Sequence, residues 1–395
     1  MNRFRITAIR VSRLAPETSG GTYFDPGASQ HWLVDSLISN PMSGHAKYRE
    51  KRSSWGIGAL GAIVVEIETA DGTIGLAAGS GGMPAGWLIK HHFARFLLGE
   101  DARNINRLWD QMYRASLPYG RKGVTIMAIS AVDLALWDLV GKLRGEPVYN
   151  LIGGKSRDEI TFYCTGPDAA AIQRMGFWGA KVPLPEGPHD GEAGLRRNVD
   201  FLARHRAAIG PDYPLMVDCY MSLDVPYAIR LAEACKPLNI HWWEEVLSPD
   251  DVEGYALIRN AHPTLKWTTG EHEYTRYGFR HLIERRLLDI VQPDVMWVGG
   301  MTELLRIAAH ASAYDVTVVP HGSGPYSYHF IASQTNPAFC EYVAASPDGQ
   351  SIQPVFGALF QGEALPHNGK LTLGDSPGFG MVLAGGVPLI DIDSA

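Results

Sequence analysis

Apolar and polar positions divide the chain into two textures. Residues 4–14 (FRITAIRVSRL) and 60–70 (LGAIVVEIETA) alternate apolar and polar side chains, the period of a strand with one face on a core. Asp71-Gly72 separates the second run from TIGLAAG, and it predicts a hairpin with a type I′ turn, whose two central residues both need positive φ. A small antiparallel sheet is expected there. The segment between the two runs, about 17–55, is rich in Gly, Ser, Pro and aromatic residues. It is too long for a passive connector, which marks it as a candidate binding loop. Residues 125–145 (TIMAISAVDLALWDLVGKLRG) place apolar side chains at three- and four-residue intervals and stop at Gly145 ahead of Pro147, as a helix does.

From about residue 158 the pattern changes to short apolar runs separated by helical stretches. The runs are EITFYCTG, GFWGAKVP, YPLMVDCY, LNIHWWEE, LKWTTGEH, LDIVQPD, DVTVVPHG and AFCEYV. Eight runs at a βα pitch, continuously apolar rather than alternating, predict eight parallel strands buried on both faces, an α/β chain folded as a (β/α)8 barrel of the TIM type.

Composition narrows the function. With 395 residues, 46% of them hydrophobic and 19% charged, the chain can bury a large core. The net charge of −7 and the lack of a Lys/Arg run give no electrostatic support for a nucleic-acid or membrane-surface partner, so a small molecule is expected. Cys164, Cys219, Cys235 and Cys340 form no CxxC pair, which argues against a zinc site or disulfide framework and for reduced thiols in a cytoplasm. MNRFRITAIR lacks the apolar stretch of a signal peptide, and no window of about 18 apolar residues is expected to span a bilayer.

Several runs finish on a residue that can bind a metal or move a proton: Lys181, Asp218, Glu244 (or Glu245), Glu271, Asp294, His321 and Glu341. From Asp218 onward the intervals are 26, 27, 23, 27 and 20 residues, each room for one helix and the next strand. A barrel gathers its strand C-termini on one face, so these side chains converge. Asp218, Glu244 and Glu271 offer only hard oxygen donors, which suits Mg2+ and not zinc. A divalent cation facing a substrate carboxylate can stabilise an enediolate, and a modest base such as His321, its tautomer fixed by Asp294, then suffices for the α proton. Taken singly, an acid at a strand end is more often a helix N-cap, and a lone histidine a hydrogen-bonded structural ring. The ordered set is what favours chemistry.

With these residues in place, the chain resembles the enolase superfamily, in its mandelate-racemase-like branch. The resemblance is carried by AISAVDLALWDLVGKLRGEPVYNLIGG, by SPGFGM near the C-terminus, and by VDCYMSLDVPYA, LNIHWWEEVLSPDDVEGY, GEH, QPD and VVPHGSGPYSYH. The last five are most similar to the L-rhamnonate dehydratase family. The resemblance implies an enolase-type barrel over 151–354, with an α+β capping domain formed by 1–150 and completed by about 355–395. It implies Asp218, Glu244 (rather than Glu245) and Glu271 as Mg2+ ligands, His321 as general base, Asp294 as its partner, and Glu341 as a catalytic substrate contact. Further substrate contacts implied are His31, Arg52, Lys181 and His272, and the assembly implied is a homo-oligomer, an octamer being one form. Where many relatives carry Lys-x-Lys, this chain has Lys181 and then Pro183. One face of the substrate thus lacks a second lysine base, which favours dehydration of an aldonic acid, L-rhamnonate or L-lyxonate, over racemisation. A sugar-acid racemase and a non-catalytic sugar-acid-binding barrel are the alternatives. PEGPHDGEAG keeps the glycines of the family's loop, and substrate choice is expected to reside in the residues before it and in the 17–30 loop.

Overall fold

The computed structural model describes residues 2–14, 31–337 and 339–394. The 17–30 loop lies outside the described residues. Strand β1 (Ile6–Leu14) pairs antiparallel with β2 (Ala62–Thr69), and β2 pairs with β3 (Ile74–Ser80). The C-terminal strand Leu389–Asp391 returns to the free edge of β1 and completes a four-stranded sheet. The hairpin forms at Asp71-Gly72, but its turn is not type I′. Gly72 alone has positive φ (84°), and its N–H donates to the Thr69 carbonyl at 2.9 Å, which places the turn one residue earlier than a two-residue loop would. Asp71 keeps an ordinary φ and instead accepts from Thr73 N at 3.1 Å.

The helix Val124–Arg144 lies on this sheet and ends at Gly145 in the left-handed region (φ 71°). Gly75 allows the close approach: a Cβ there would stand 2.3 Å from the Ala135 carbonyl oxygen. The expectation that no segment could span a bilayer is corrected here, because this helix is long and apolar enough to do so. Its apolarity has another cause: 83% of its apolar 18-residue window is buried, between the sheet and neighbouring helices.

Each of the eight apolar runs contains one strand: β4 (Ile160–Thr165), β5 (Ala180–Pro183), β6 (Leu215–Asp218), β7 (Ile240–Glu244), β8 (Trp267–Thr269), β9 (Ile290–Val291), β10 (Thr317–Val318) and β11 (Cys340–Val343). They form a curled parallel sheet in the order β10-β9-β8-β7-β6-β5-β4-β11, with the last strand beside the first. This is a modified TIM barrel joined to an α+β N-terminal domain. Inside it, Tyr163, Met216, Trp242, Ile290 and Val319 form a separate apolar cluster. Tyr163 meets Trp242 edge-on at 5.0 Å. Large aromatic side chains fill the barrel below its C-terminal face, so the mouth is a floored cup rather than a pore.

Candidate active site

The strand C-termini open onto a cavity of about 290 Å3. Lys181, Asp218, Glu271, His272, Asp294 and His321 all line it. Glu244 and Glu341 stand just behind, each 1% exposed, and both contact the Lys181 ammonium; the Glu341 contact is 2.8 Å.

Carboxylate oxygens of Asp218, Glu244 and Glu271 lie within 4.8 Å of one another. Burial raises the pKa of all three, and for Asp218 and Glu244 the neighbouring carboxylates add to the rise against the opposing pull of Lys181. For Glu271 the opposing groups are His321 and His272. Three closely set acids, all with raised pKa, are a site whose repulsion a divalent cation would relieve, and carboxylate oxygens are the donors Mg2+ accepts. Glu244 is already oriented, its Oε2 accepting from Gln292 Nε2 (2.6 Å) and Trp242 Nε1 (3.1 Å). A carboxylate has about four lone-pair sites, so these bonds leave capacity for a metal. The adjacent Glu245 turns elsewhere through a left-handed backbone (φ 46°) and pairs with His272 Nδ1 at 2.9 Å. Desolvation would lower the His272 pKa, but the Glu245 carboxylate outweighs it and the ring rises to about 9.

Across the cavity, His321 Nδ1 and Asp294 Oδ2 are 2.8 Å apart. An isolated parallel bridge between the two residues, with His321 N donating to Pro293 O at 3.2 Å, extends β9 and β10 just far enough to align them. The other Asp294 oxygen accepts from Met296 N (2.7 Å) and Ser323 Oγ (2.8 Å). With Asp294 on Nδ1, the imidazole presents Nε2 to the carboxylate cluster, 3.4 Å from Glu271 Oε2. Burial alone would lower the His321 pKa; Glu271, Asp294 and Glu341 outweigh it and hold it well above the usual value. After His321 the chain runs through three consecutive positive-φ residues, Gly322 (37°), Ser323 (61°) and Gly324 (52°). This tight reversal delivers the Gly322 N–H to Glu341 Oε2 at 2.9 Å. Glu341 also accepts from Thr165 Oγ1. Desolvation raises its pKa, but Lys181 and His321 dominate and lower it to about 2.

The wall above comes from the N-terminal domain. Arg52 is 4% exposed, stacks 4.0 Å over the Tyr220 ring and donates Nη1 to the Leu33 carbonyl at 3.1 Å. Its buried Nε has no hydrogen-bond partner among the described residues. Tyr220, His272, Trp297 and His321 then follow ring against ring at 5.3, 5.3 and 5.5 Å. His31 does not line the cavity. It caps the helix Trp32–Asp35, with Nδ1 accepting from Leu33 N (3.2 Å) and Nε2 on the Ala345 carbonyl (3.3 Å).

Sequence reasoning passed over Thr165, Gln292 and Trp297. Thr165 closes the first of the eight runs, so the rule that selected the other strand-end residues would have reached it had hydroxyls been counted beside titratable groups. Gln292 precedes Asp294 in QPD, and only the folded barrel reveals its contact with Glu244. Trp297 lies on a loop with no periodicity to mark it.

Comparison with known proteins follows the same lines. Residues 56–153 match the model of the mandelate racemase / muconate lactonizing enzyme N-terminal domain, and residues 168–386 match that of the enolase C-terminal domain-like family. The crystal structure of rhamnonate dehydratase from Gibberella zeae complexed with Mg is 58% identical, with a TM-score of 0.97 over 100% of this chain and 98% of that one. A second structure, of L-rhamnonate dehydratase from the same organism, has a TM-score of 0.94 at 58% identity, over 100% of this chain and 97% of that one. A protein of Caldivirga maquilingensis, whose name proposes the same activity, is 47% identical over 364 residues, 92% of this chain and 91% of its own length.

Proposed function

The chain belongs to the mandelate racemase and muconate lactonizing enzyme family of the enolase superfamily, and from that premise we propose that it is a Mg2+-dependent hydro-lyase acting on L-rhamnonate. The product is the 2-keto-3-deoxy acid, and water is released. The observation that carries this reading is the opposition of two built elements across one cavity: the Asp218–Glu244–Glu271 carboxylates on one side and the Asp294–His321 pair on the other. Its support from relatives is the 58% identity to the Mg-complexed rhamnonate dehydratase.

Asp218, Glu244 and Glu271 would hold the ion. Bound there, Mg2+ supplies Lewis-acid charge to the substrate carboxylate and offsets the acid charge that now raises the His321 pKa. Asp294 fixes the imidazole so that Nε2 is the basic nitrogen, and His321 removes the proton from carbon 2. The same ring, now protonated and stabilised by Asp294, returns a proton to the departing 3-hydroxyl, which makes the elimination syn, and the enol so formed tautomerises to the 2-keto-3-deoxy acid as its hydroxyl proton is lost and carbon 3 is protonated. Glu341, held by Lys181, Thr165 and the Gly322 N–H, faces the reacting carbons from β11. Lys181 is committed to Glu244 and Glu341, so it contributes positive charge beside the carboxylate end rather than a second base. That disfavours racemisation. Arg52 and His272 are proposed contacts to the distal hydroxyls, and the unpartnered Arg52 Nε supports the first. Substrate contact by His31 rests on the resemblance alone.

In the same reading, residues 1–150 with about 355–395 form the capping domain and 151–354 the barrel domain. The protein assembles as a homo-oligomer in the cytoplasm, a location supported by four buried, unpaired thiols. The test is incubation of purified protein and Mg2+ with a panel of aldonic acids, L-rhamnonate, L-lyxonate and L-mannonate among them, with 2-keto-3-deoxy product read as its semicarbazone. Product from L-rhamnonate at the highest kcat/KM is expected. No product from any acid would sink the proposal, and carbon-2 inversion without dehydration would replace it with a racemase.

A further inference from the structure

One apolar stretch of the cavity wall hangs on a carboxyl group that the reaction does not use. Val355 and Phe356 both line the cavity and are 3% and 2% exposed. Their backbone N–H groups donate to the two oxygens of one side chain: Val355 N to Glu363 Oε1 at 2.5 Å and Phe356 N to Glu363 Oε2 at 3.1 Å. The Phe356 ring packs on Tyr326 and Phe360, with centroids 5.4 and 5.3 Å away. Val355 and Phe356 also close over Gly324, three residues after His321, where a Cβ would meet them at 3.4 and 3.5 Å. The wall therefore touches the turn that carries the proposed base.

Glu363 itself is partly buried, and no cation pairs with it among the described residues. The ionisable groups that sense its charge are the phenols of Tyr326, Tyr328 and Tyr342. A carboxyl withdrawn from water without a counter-charge is unfavourable in itself. What it accomplishes here is to hold two consecutive amides of the cavity wall, on a loop that contributes no catalytic group.

We propose that Glu363 is a positioning residue for substrate selection: by holding the Val355 and Phe356 amides it sets the apolar wall that receives the substrate's terminal methyl group. The proposal rests on the functional reading above. L-Rhamnonate is L-mannonate with the 6-hydroxyl replaced by hydrogen, so the two acids differ only in the group such a wall discriminates. A hydroxyl pressed on it without a partner is disfavoured, and a displaced wall relaxes that penalty.

The experiment measures kcat and KM for L-rhamnonate and L-mannonate, with Mg2+, in the wild type, in Glu363→Gln and in Glu363→Ala. Glutamine keeps the shape and one acceptor but turns an NH2 toward the second amide; alanine removes both acceptors. The rhamnonate-to-mannonate ratio of kcat/KM is expected to fall about 3-fold in Glu363→Gln and about 10-fold in Glu363→Ala, through the KM for rhamnonate, with kcat kept within about 2-fold. A merely structural role would lower both acids by one factor and leave the ratio at its wild-type value, which overturns the proposal. So does a wild-type ratio near one. If Glu363→Ala does not fold, the isosteric Glu363→Gln decides alone. Wild-type protein that dehydrates neither acid overturns the functional reading and this proposal with it. Wild-type turnover with an unchanged ratio in the variants overturns this proposal only.

Discussion

The floor of the cavity and its cover are built by opposite means. Each chemical group of the floor comes from a different parallel strand: Asp218, Glu244, Glu271, Asp294 and His321 at or just past a strand end, and Lys181 and Glu341 within β5 and β11, where ladders to neighbouring strands fix the backbone. Most of these side chains also hold another, Lys181 with Glu244 and Glu341 and Asp294 with His321, while Asp218 accepts from the Tyr220 N–H. The cover is made of short helical turns, Trp32–Asp35 and Arg52–Trp55, joined by the Arg52–Leu33 hydrogen bond and a Ser53–Asp35 contact. A floor built on ladders keeps reacting groups in register, whereas a cover built from short turns elsewhere in the chain can be altered without disturbing it. Rate should therefore be sensitive to the floor and apparent affinity to the cover.

The most severe break in that contrast is removal of metal. Chelation with EDTA should abolish dehydration, and Mg2+ at about 100 times its Kd should restore it and add about 2.7 kcal/mol of stability, seen as a rise in Tm. Retained turnover after chelation would remove the floor's proposed role. Next, His321→Asn should lower kcat about 1,000-fold or more while the Mg2+-dependent rise in Tm persists, because the imidazole is not one of the three oxygen donors. A loss of both would mean that the histidine is structural. Arg52→Ala, in the cover, should lower kcat/KM about 30-fold, chiefly through KM, and Arg52→Lys should recover little of it, since an ammonium does not reproduce the planar stack on Tyr220. If Arg52→Ala lowered kcat instead, the division between floor and cover would fail.

The smallest effect concerns pH. Burial pushes the Glu363 carboxyl up to about 7, against the opposing pull of the Val355 and Phe356 amides. The folded chain thus keeps a proton that the unfolded chain has released, so this stabilisation is full below the ordinary carboxylate range and is lost as pH rises through about 7. Denaturant unfolding from pH 5 to pH 8 should show stability falling, and Glu363→Gln should remove about 1 to 2 kcal/mol of that fall. An unchanged pH slope in the variant would show that Glu363 ionises normally.

Much of this architecture is legible in the chain. Eight continuously apolar runs mark the eight barrel strands because a parallel strand covered on both faces leaves polar residues no place but its ends. For the same reason spacing alone brings the strand-end residues to one face of the barrel. The misreadings have local causes. Asp71-Gly72 marked a hairpin, yet turn type depends on strand register, which the dipeptide does not encode. The apolarity of Val124–Arg144 is the mark of a helix buried on nearly all sides, and only packing distinguishes that from a membrane span.

The sequence by itself determined the barrel, the order of its strands and the inventory of acids and bases at their ends, since these follow from hydrophobic period and spacing. Spacing left the two adjacent acids Glu244 and Glu245 open, and the tertiary structure groups Glu244 with both Asp218 and Glu271 but Glu245 with Glu271 and His272. A left-handed φ at Glu245 sends that side chain to His272 instead. The tertiary structure likewise commits Lys181 to two carboxylates and hangs the apolar wall on Glu363. These outcomes depend on distances between residues far apart in the chain, and period and spacing carry no record of such distances.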